Sequence, residues 1–496
     1  MNKKLIIFIV AVVILLLTYF KIHVFSQNLW VPLWYDPWIY RGIALAYEVL
    51  VQKWWILGVW WHLWDLPLWI RHEPLRWWLT VALSRVWISI DTQLWIGFIV
   101  ISILVAVIQL VRKKPWYENM LILLLVALSV IQYEAFSMMY YKQMIWIVMM
   151  TCIFVLVERK KWFAILPLFI ILVTLHRHTS LYTYGTLGLY IIIQAISSLV
   201  KKGMDTKLPL TLLWKIQSYV KGIYSQLPKV LIISMIVGMI IGFSLYWWLF
   251  NRIVIGFVEP LVTTAWWDGI QWSFMTANFF FQYNIVLIIL ALLWTYYSVK
   301  KQWITIDSAG FIFGAIRTIS GLLNYRRGLI FFDIFVIYQA VYFLTILRPQ
   351  RKKLYYWLTG FVVFAQWSFA LWYMSENHYP LISPVLLQDI KNIQNYTHNT
   401  DVIMVTNSEL APRVLWYSDR QRLSPWLSDL NKRNQQQRST WRNTSKTQKC
   451  ELLANSYAKN YTIYIWQVKT QQDYIGSGEC FSITKDFGES MLVKYE

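Results

Sequence analysis

The feature that most constrains this chain is a succession of apolar runs, each long enough or nearly long enough to cross a bilayer, separated by short basic stretches. They lie at roughly 5–22, 93–111, 119–133, 143–157, 162–176, 181–199, 230–250, 284–299, 308–323, 328–347 and 354–374, about eleven in all. Lys3-Lys4, Arg112-Lys113-Lys114, Arg159-Lys160-Lys161, Lys201-Lys202 through Lys229, Lys300-Lys301 and Arg348 through Lys353 all fall on one side of such a bundle. An excess of Lys and Arg marks the cytoplasmic side. The expectation is an α-helical polytopic protein of the cell membrane, multi-pass, with its N-terminus cytoplasmic. The opposite, extracytoplasmic face then receives residues 23–92, the turns at 134–142, 177–180 and 324–327, the loop 251–283 and the tail from 375 onward.

Composition excludes a soluble enzyme of ordinary make-up: 58% of the 496 residues are hydrophobic and 14% charged. A net charge of +21 invites nucleic acid as a partner, but the basic residues sit in loops between apolar runs. Membrane lipids, or a phosphate-bearing lipid substrate, fit that placement better than DNA or RNA. Many of the 31 Trp cluster near expected interfaces, where an indole ring sits among headgroups. The stretch Leu5 to Phe20 follows Asn2-Lys3-Lys4 and no small-residue cleavage site follows it, so it reads as a retained signal anchor. Of three cysteines, Cys152 lies in an apolar run and Cys450 and Cys480 in the polar tail. A disulfide between the last two requires that the tail face an oxidising compartment.

Three details refine the map. Residues 54–70 are apolar, yet Asp65, Pro67 and Arg71-His72-Glu73 favour an interfacial or re-entrant segment. Arg317 and Asp333 flank the turn at 324–327 at similar depth, which predicts an ion pair between the ninth and tenth runs. After Met374 the chain turns polar, giving two domains: 1–374 in the membrane, with a first external loop at 23–92, and 375–496 outside it. The tail reads as a small α/β domain with helices at 384–397 and near 451–459, strands at 402–405 and 462–466, and a low-complexity loop at 432–449. Sequons beginning at Asn395, Asn443 and Asn460 carry no weight in so polar a tail.

Chemistry gathers on the outer face. In Trp34-Tyr35-Asp36-Pro37-Trp38-Ile39-Tyr40-Arg41, Asp36 is the only acidic residue of the first 41, and the following Pro holds it in extended or turn backbone. Tyr40, Ile43, Ala44, Tyr47 and Leu50 then give one apolar face, suited to a helix lying on a bilayer. Taken singly, Asp36 is a helix cap and the other polar groups near span ends are interface anchors. Taken together, Asp36, His72, Glu73, Glu134, Lys142, His176, Arg177, His178, Arg326 and Arg327 read as a site. Cations stabilise a phosphate leaving group, and a carboxylate takes a proton from an acceptor hydroxyl or binds a metal. No His or carboxylate spacing forms a metal cage, although a divalent cation remains compatible with the set.

Asp36 with Tyr40, then His72-Glu73-Pro74-Leu75 leading into Leu79, Ala82 and Leu83, resembles the first external loop of the GT-C superfamily of membrane glycosyltransferases. Leu175-His176-Arg177-His178-Thr179-Ser180-Leu181 and Asn324-Tyr325-Arg326-Arg327-Gly328 are similar to two later motifs of that superfamily. Glu73 stands where the family has Pro, and Gly328-Leu329 replaces an aliphatic-Pro continuation. The likeness is to its protein mannosyltransferase and aminoarabinose transferase types. It implies a GT-C-like bundle that moves a sugar from a polyprenyl-phosphate donor to a lipid, glycan or protein acceptor. It implies Asp36 as general base in an inverting transfer and Glu134 as the second acidic position. Arg326 or Arg327, with Arg177, His176, His178 and His72, would meet the lipid phosphate, with Lys142 and Tyr40 beside them.

Other classes compete. Asp36-Pro37-Trp38-Ile39-Tyr40-Arg41 is also similar to a segment of oligosaccharyltransferase catalytic subunits, but Trp266-Trp267-Asp268-Gly269 lacks their Tyr and lies before the eighth run. A lipid-linked-sugar transporter or flippase would carry charged or helix-breaking residues at the midplane of related halves. A polysaccharide polymerase or ligase would rely less on a first-loop Asp, and a non-enzymatic scaffold would bind a partner through its tail.

Overall fold

The computed structural model describes residues 115–137, 141–175, 177–203, 229–241, 276–301, 305–320, 325–377, 383–398, 400–405, 421–422, 444–454, 461–470 and 475–496, with the isolated residues 244, 410, 414, 418 and 441. The expected spans at 5–22 and 93–111, the first external loop and its segment 54–70 lie outside the described residues. The described residues fall into two compact units, a helical one up to Asn377 and one built on a sheet from Ser383 onward.

Ten helices of the first unit are described: α1 Trp116–Leu128, α2 Val130–Ser137, α3 Tyr141–Glu158, α4 Trp162–Leu175, α5 Arg177–Gly203, α6 Lys229–Ile241, α7 Ala277–Lys300, α8 Ile306–Ser320, α9 Tyr325–Gln350 and α10 Lys352–Asn377. Local chemistry sets several starts. Pro115 precedes α1, and Glu118 in its first turn suits the positive helix end. Thr276 caps α7 by accepting the Phe279 N–H at 3.1 Å, and Thr305 caps α8 by accepting the Ser308 N–H at 3.2 Å.

About eleven spans were expected. Among the described residues three helices have the length and composition to cross a membrane: Ala277–Lys300, Gly328–Gln350 and Lys352–Tyr373. Four more apolar helices are shorter, at Tyr117–Leu128, Ile147–Glu158, Ala164–Val173 and Lys229–Ile241. The run at 119–133 accounts for part of the difference, because the helix breaks at Ser129, where the backbone turns extended at φ −68° and ψ 121°. Polar side chains account for another part: Asp307, Ser308 and Arg317 interrupt the apolar character of α8.

α9 is the central element, buried on every side from Leu329 to Tyr342. α7 runs parallel to it, as Phe280 stacks on Phe332 at 5.0 Å and Trp294 meets Tyr342 at 5.8 Å. α8 runs antiparallel to it. Gly314 and Gly310 let the backbones approach, since a Cβ at either would collide with Phe332 and Tyr182 or with Phe335. At the far end of this hairpin Tyr342 donates to Asp307 at 2.5 Å, and Ser308 donates to Gln339 at 3.1 Å. α5 packs Tyr182 against Phe313, Phe331 and Phe335.

The expected ion pair between Arg317 and Asp333 is corrected. Arg317 lies against Gly328, five residues before Asp333 along α9, and its guanidinium stands 5.8 Å from the Tyr182 ring. Asp333 instead accepts from three neutral side chains, Ser129 at the break before α2, Gln132 of α2 and Asn284 of α7. Similar depth in a hairpin does not fix the rotation of each helix about its axis, and here the rotations differ.

The second unit is a five-stranded sheet in the order β2-β1-β3-β5-β4, with β1 Val402–Val405, β2 Gln421–Arg422, β3 Ile463–Val468, β4 Phe481–Asp486 and β5 Ser490–Tyr495. β1 pairs in parallel with β2 and β3, whereas β5 is antiparallel to β3 and β4. Alternation assigns the faces. Ile403, Val405, Tyr464, Trp466 and Leu492 pack under α11, Pro384–Asn392, and the short 3-10 turn Ile393–Tyr396. Val402, Met404, Ile463, Ile465, Met491 and Val493 pack with Leu453 of α12, Lys446–Ala454, and with Trp441. Cys450 and Cys480 form a disulfide that ties α12 to the residue before β4.

Candidate functional site

Of the positions singled out in the sequence, Asp36, Tyr40, His72, Glu73 and His176 lie outside the described residues. Lys142 is the second residue of α3, Arg177 and His178 open α5, and Arg326 and Arg327 fall in the first turn of α9; only their backbones are described. Helix N-termini present free N–H groups and the positive end of the helix dipole, so cations there strengthen an existing preference for anions.

Glu134 is described in full. It is buried on α2 and accepts a hydrogen bond from the Tyr373 hydroxyl of α10. Tyr373 is held in turn by Phe279 at 5.5 Å and Tyr283 at 5.4 Å, both near the start of α7, and its neighbour Trp372 also meets Tyr283, at 5.8 Å. The carboxylate is therefore buried and meets a hydroxyl whose own ring is packed among aromatics, and burial strengthens any charge interaction it makes.

Packing brings several of these elements to one end of the helical unit. Gln132 donates to the Ile330 carbonyl at 2.9 Å, which sets α2 beside the first turns of α9. Tyr182 of α5 meets Phe331, so the starts of α5 and α9 are neighbours. Phe279 and Tyr373 bring the start of α7 and the end of α10 to the same end. Lys300, Arg348 and Lys352 lie at the other ends of α7, α9 and α10.

Sequence reasoning missed a polar cluster just beneath Glu134. Asp333 Oδ2 accepts from Ser129 Oγ at 2.8 Å and Gln132 Nε2 at 2.9 Å, and Oδ1 accepts from Asn284 Nδ2 at 2.8 Å. All four residues are buried. Gln366 of α10 donates to the Tyr283 carbonyl at 3.2 Å nearby. The signal was present: Ser129, Gln132 and Asn284 are polar residues inside apolar runs, where such groups face partners rather than lipid.

Among the described residues no group of three or more His, Cys, Asp or Glu is placed to hold a metal ion. No protein-family model matches the chain, and no curated protein matches it either.

Proposed function

We propose that this protein is a membrane glycosyltransferase that moves a sugar from a polyprenyl-phosphate donor to an acceptor on the extracytoplasmic face. The observation that carries it is the gathering at one end of the helical unit of a buried carboxylate, Glu134, with the basic first turns of α5 and α9. In the full reading, about eleven spans form a GT-C-like bundle whose groove accepts the prenyl chain, and residues 375–496 lie outside. The disulfide between Cys450 and Cys480 supports that orientation, since such bonds persist in oxidising compartments.

In the reaction, the acceptor hydroxyl oxygen attacks the anomeric carbon while the bond from that carbon to the phosphate oxygen breaks. Polyprenyl phosphate leaves with the electron pair. Asp36 takes the hydroxyl proton, and a single displacement inverts the anomeric centre. Arg326, Arg327, Arg177 and the flanking His176 and His178 hold the phosphate as its charge grows, with Lys142, His72 and Tyr40 beside them. Glu134, steadied by Tyr373, orients the acceptor or donor hydroxyls. A divalent cation at the phosphate would add to the same stabilisation.

The test is incubation of the purified protein in nanodiscs with radiolabelled polyprenyl-phosphate sugars. The proposal expects loss of sugar from the lipid with formation of free polyprenyl phosphate. A protein that moves the intact labelled lipid between leaflets without cleaving it is a transporter, and the proposal fails.

A further inference from the structure

Helix α2 is eight residues long, too short to hold its shape alone, and it begins at a break inside a buried bundle. A break leaves backbone groups at both helix ends in need of partners, and inside a buried bundle the protein's own groups must supply them. Ser129 serves both sides of this one, its backbone N–H donating to the Val126 carbonyl at 3.3 Å to close α1. Its Oγ accepts the Gln132 N–H at 3.2 Å, capping α2, and donates to Asp333 Oδ2 at 2.8 Å. Gln132 adds a bond from Nε2 to the same oxygen and another to the Ile330 carbonyl, both at 2.9 Å. Three side-chain bonds thus fasten the first turn of α2 to α9, and Glu134 follows Gln132 by two residues.

We propose that Asp333 is a positioning residue: through Ser129 and Gln132 it fixes the α2 segment, and with it the Glu134 carboxylate, against Tyr373. The inference rests on the role given to Glu134 above. The two oxygens of Asp333 divide the labour. Oδ2 serves α2, and Oδ1 serves Asn284 on α7.

That division makes the idea testable with full-length protein in nanodiscs, by amide hydrogen exchange over Val130–Ser137 and by donor turnover. Asp333→Leu and Gln132→Leu should speed exchange there about tenfold, as loss of two of the three buried hydrogen bonds between α2 and α9 allows. They should lower kcat by roughly 10-fold to 100-fold with little change in KM, the cost of a displaced catalytic group. Asn284→Leu should leave exchange of α2 and kcat near wild type. Asp333→Asn should retain both, because its amide oxygen can take the place of Oδ2 while its NH2 group faces an Asn284 amide free to turn over. Glu134→Gln should lower kcat with α2 still protected, and adding Gln132→Leu to it should cost little more.

Unchanged exchange in Gln132→Leu overturns the proposal, as does an Asp333→Asn protein as impaired as Asp333→Leu, which would mean that the charge itself is required. If the wild type consumes no donor, the transferase reading fails separately. The exchange comparison between Gln132→Leu and Asn284→Leu still decides whether Asp333 clamps α2.

Discussion

Trp466 and Trp357 are the same side chain put to opposite uses. Trp466 on β3 is 0% exposed between the sheet and α11, whereas Trp357 on α10 is 79% exposed in a row with Phe361, Phe364, Trp367 and Leu371. Hiding the largest apolar groups is how a fold answers to water, and a helix that turns them outward suits a hydrocarbon solvent. Within the helical unit, α9 and α10 repeat the lesson: both are apolar, yet 83% of one span is buried and 17% of the other. Apolar character reports burial in the sheet unit and does not report it in the helical one. There the inward face is marked by polar groups, Ser129, Gln132, Glu134, Asn284 and Asp333.

Substitutions at the two tryptophans would sharpen this contrast most. Trp466→Ala should cost about 3–5 kcal/mol and expose 463–468 and 490–495 to protease, whereas Trp357→Ala in a bilayer should stay within about 0.5 kcal/mol. Equal effects would break the contrast. Next in size is the pair Cys450→Ser with Cys480→Ser, which should cost the sheet unit about 2–4 kcal/mol by freeing a 30-residue loop in its unfolded state, read by denaturant unfolding. Two glycines come third. Gly314→Ala, pressed against Phe332 and Tyr182, should destabilise by about 1–3 kcal/mol. Gly360→Ala, with open space around it, should stabilise α10 by about 0.5–1 kcal/mol, both read as thermal midpoints in nanodiscs.

The smallest effect is a pH dependence of the sheet unit. Burial pushes the Asp389 carboxyl above its usual range, with the Ser490 hydroxyl bond at 2.8 Å opposing it. The folded state then keeps this proton to higher pH than the unfolded state does, so ionisation destabilises it as pH rises through the shifted value. Asp389→Asn should therefore raise the thermal midpoint at neutral pH, and the gain should vanish below the ordinary carboxylate range. Asp486 behaves oppositely. Lys469 at 2.7 Å holds its carboxyl below the usual range, so its contribution is present at neutral pH and is lost only in acid.

The legible parts of the sequence follow the same division. The run Val402-Ile403-Met404-Val405 is a strand at the expected bounds, and the helix expected at 384–397 starts at Pro384, capped by Ser383 accepting the Leu386 N–H at 3.0 Å, with its last turn a 3-10 turn from Ile393 to Tyr396. The helix expected near 451–459 begins earlier, at Lys446, because Ser445 rather than the apolar run sets its start. The β4-β5 hairpin was missed. Its outer strand alternates weakly, and only Gly488, at φ +100°, marks the turn. In the helical unit the break at Ser129 lies within Val126 to Val130, an apolar stretch with one small polar residue, so hydropathy passes over it. The partners of Asp333 come from the break at Ser129, from α2 and from α7, and although Ser129 and Gln132 are three residues apart, no local spacing joins them to Asn284 or to Asp333 itself.

The central claim turns on Asp36, and the most direct measurement compares wild type with Asp36→Asn for both binding and cleavage of a polyprenyl-phosphate sugar in nanodiscs. The account predicts that both proteins bind the donor and that only the wild type transfers its sugar, with inversion at the anomeric carbon. Equal transfer by both proteins, or binding without cleavage by either, would contradict it and leave Asp36 a helix cap.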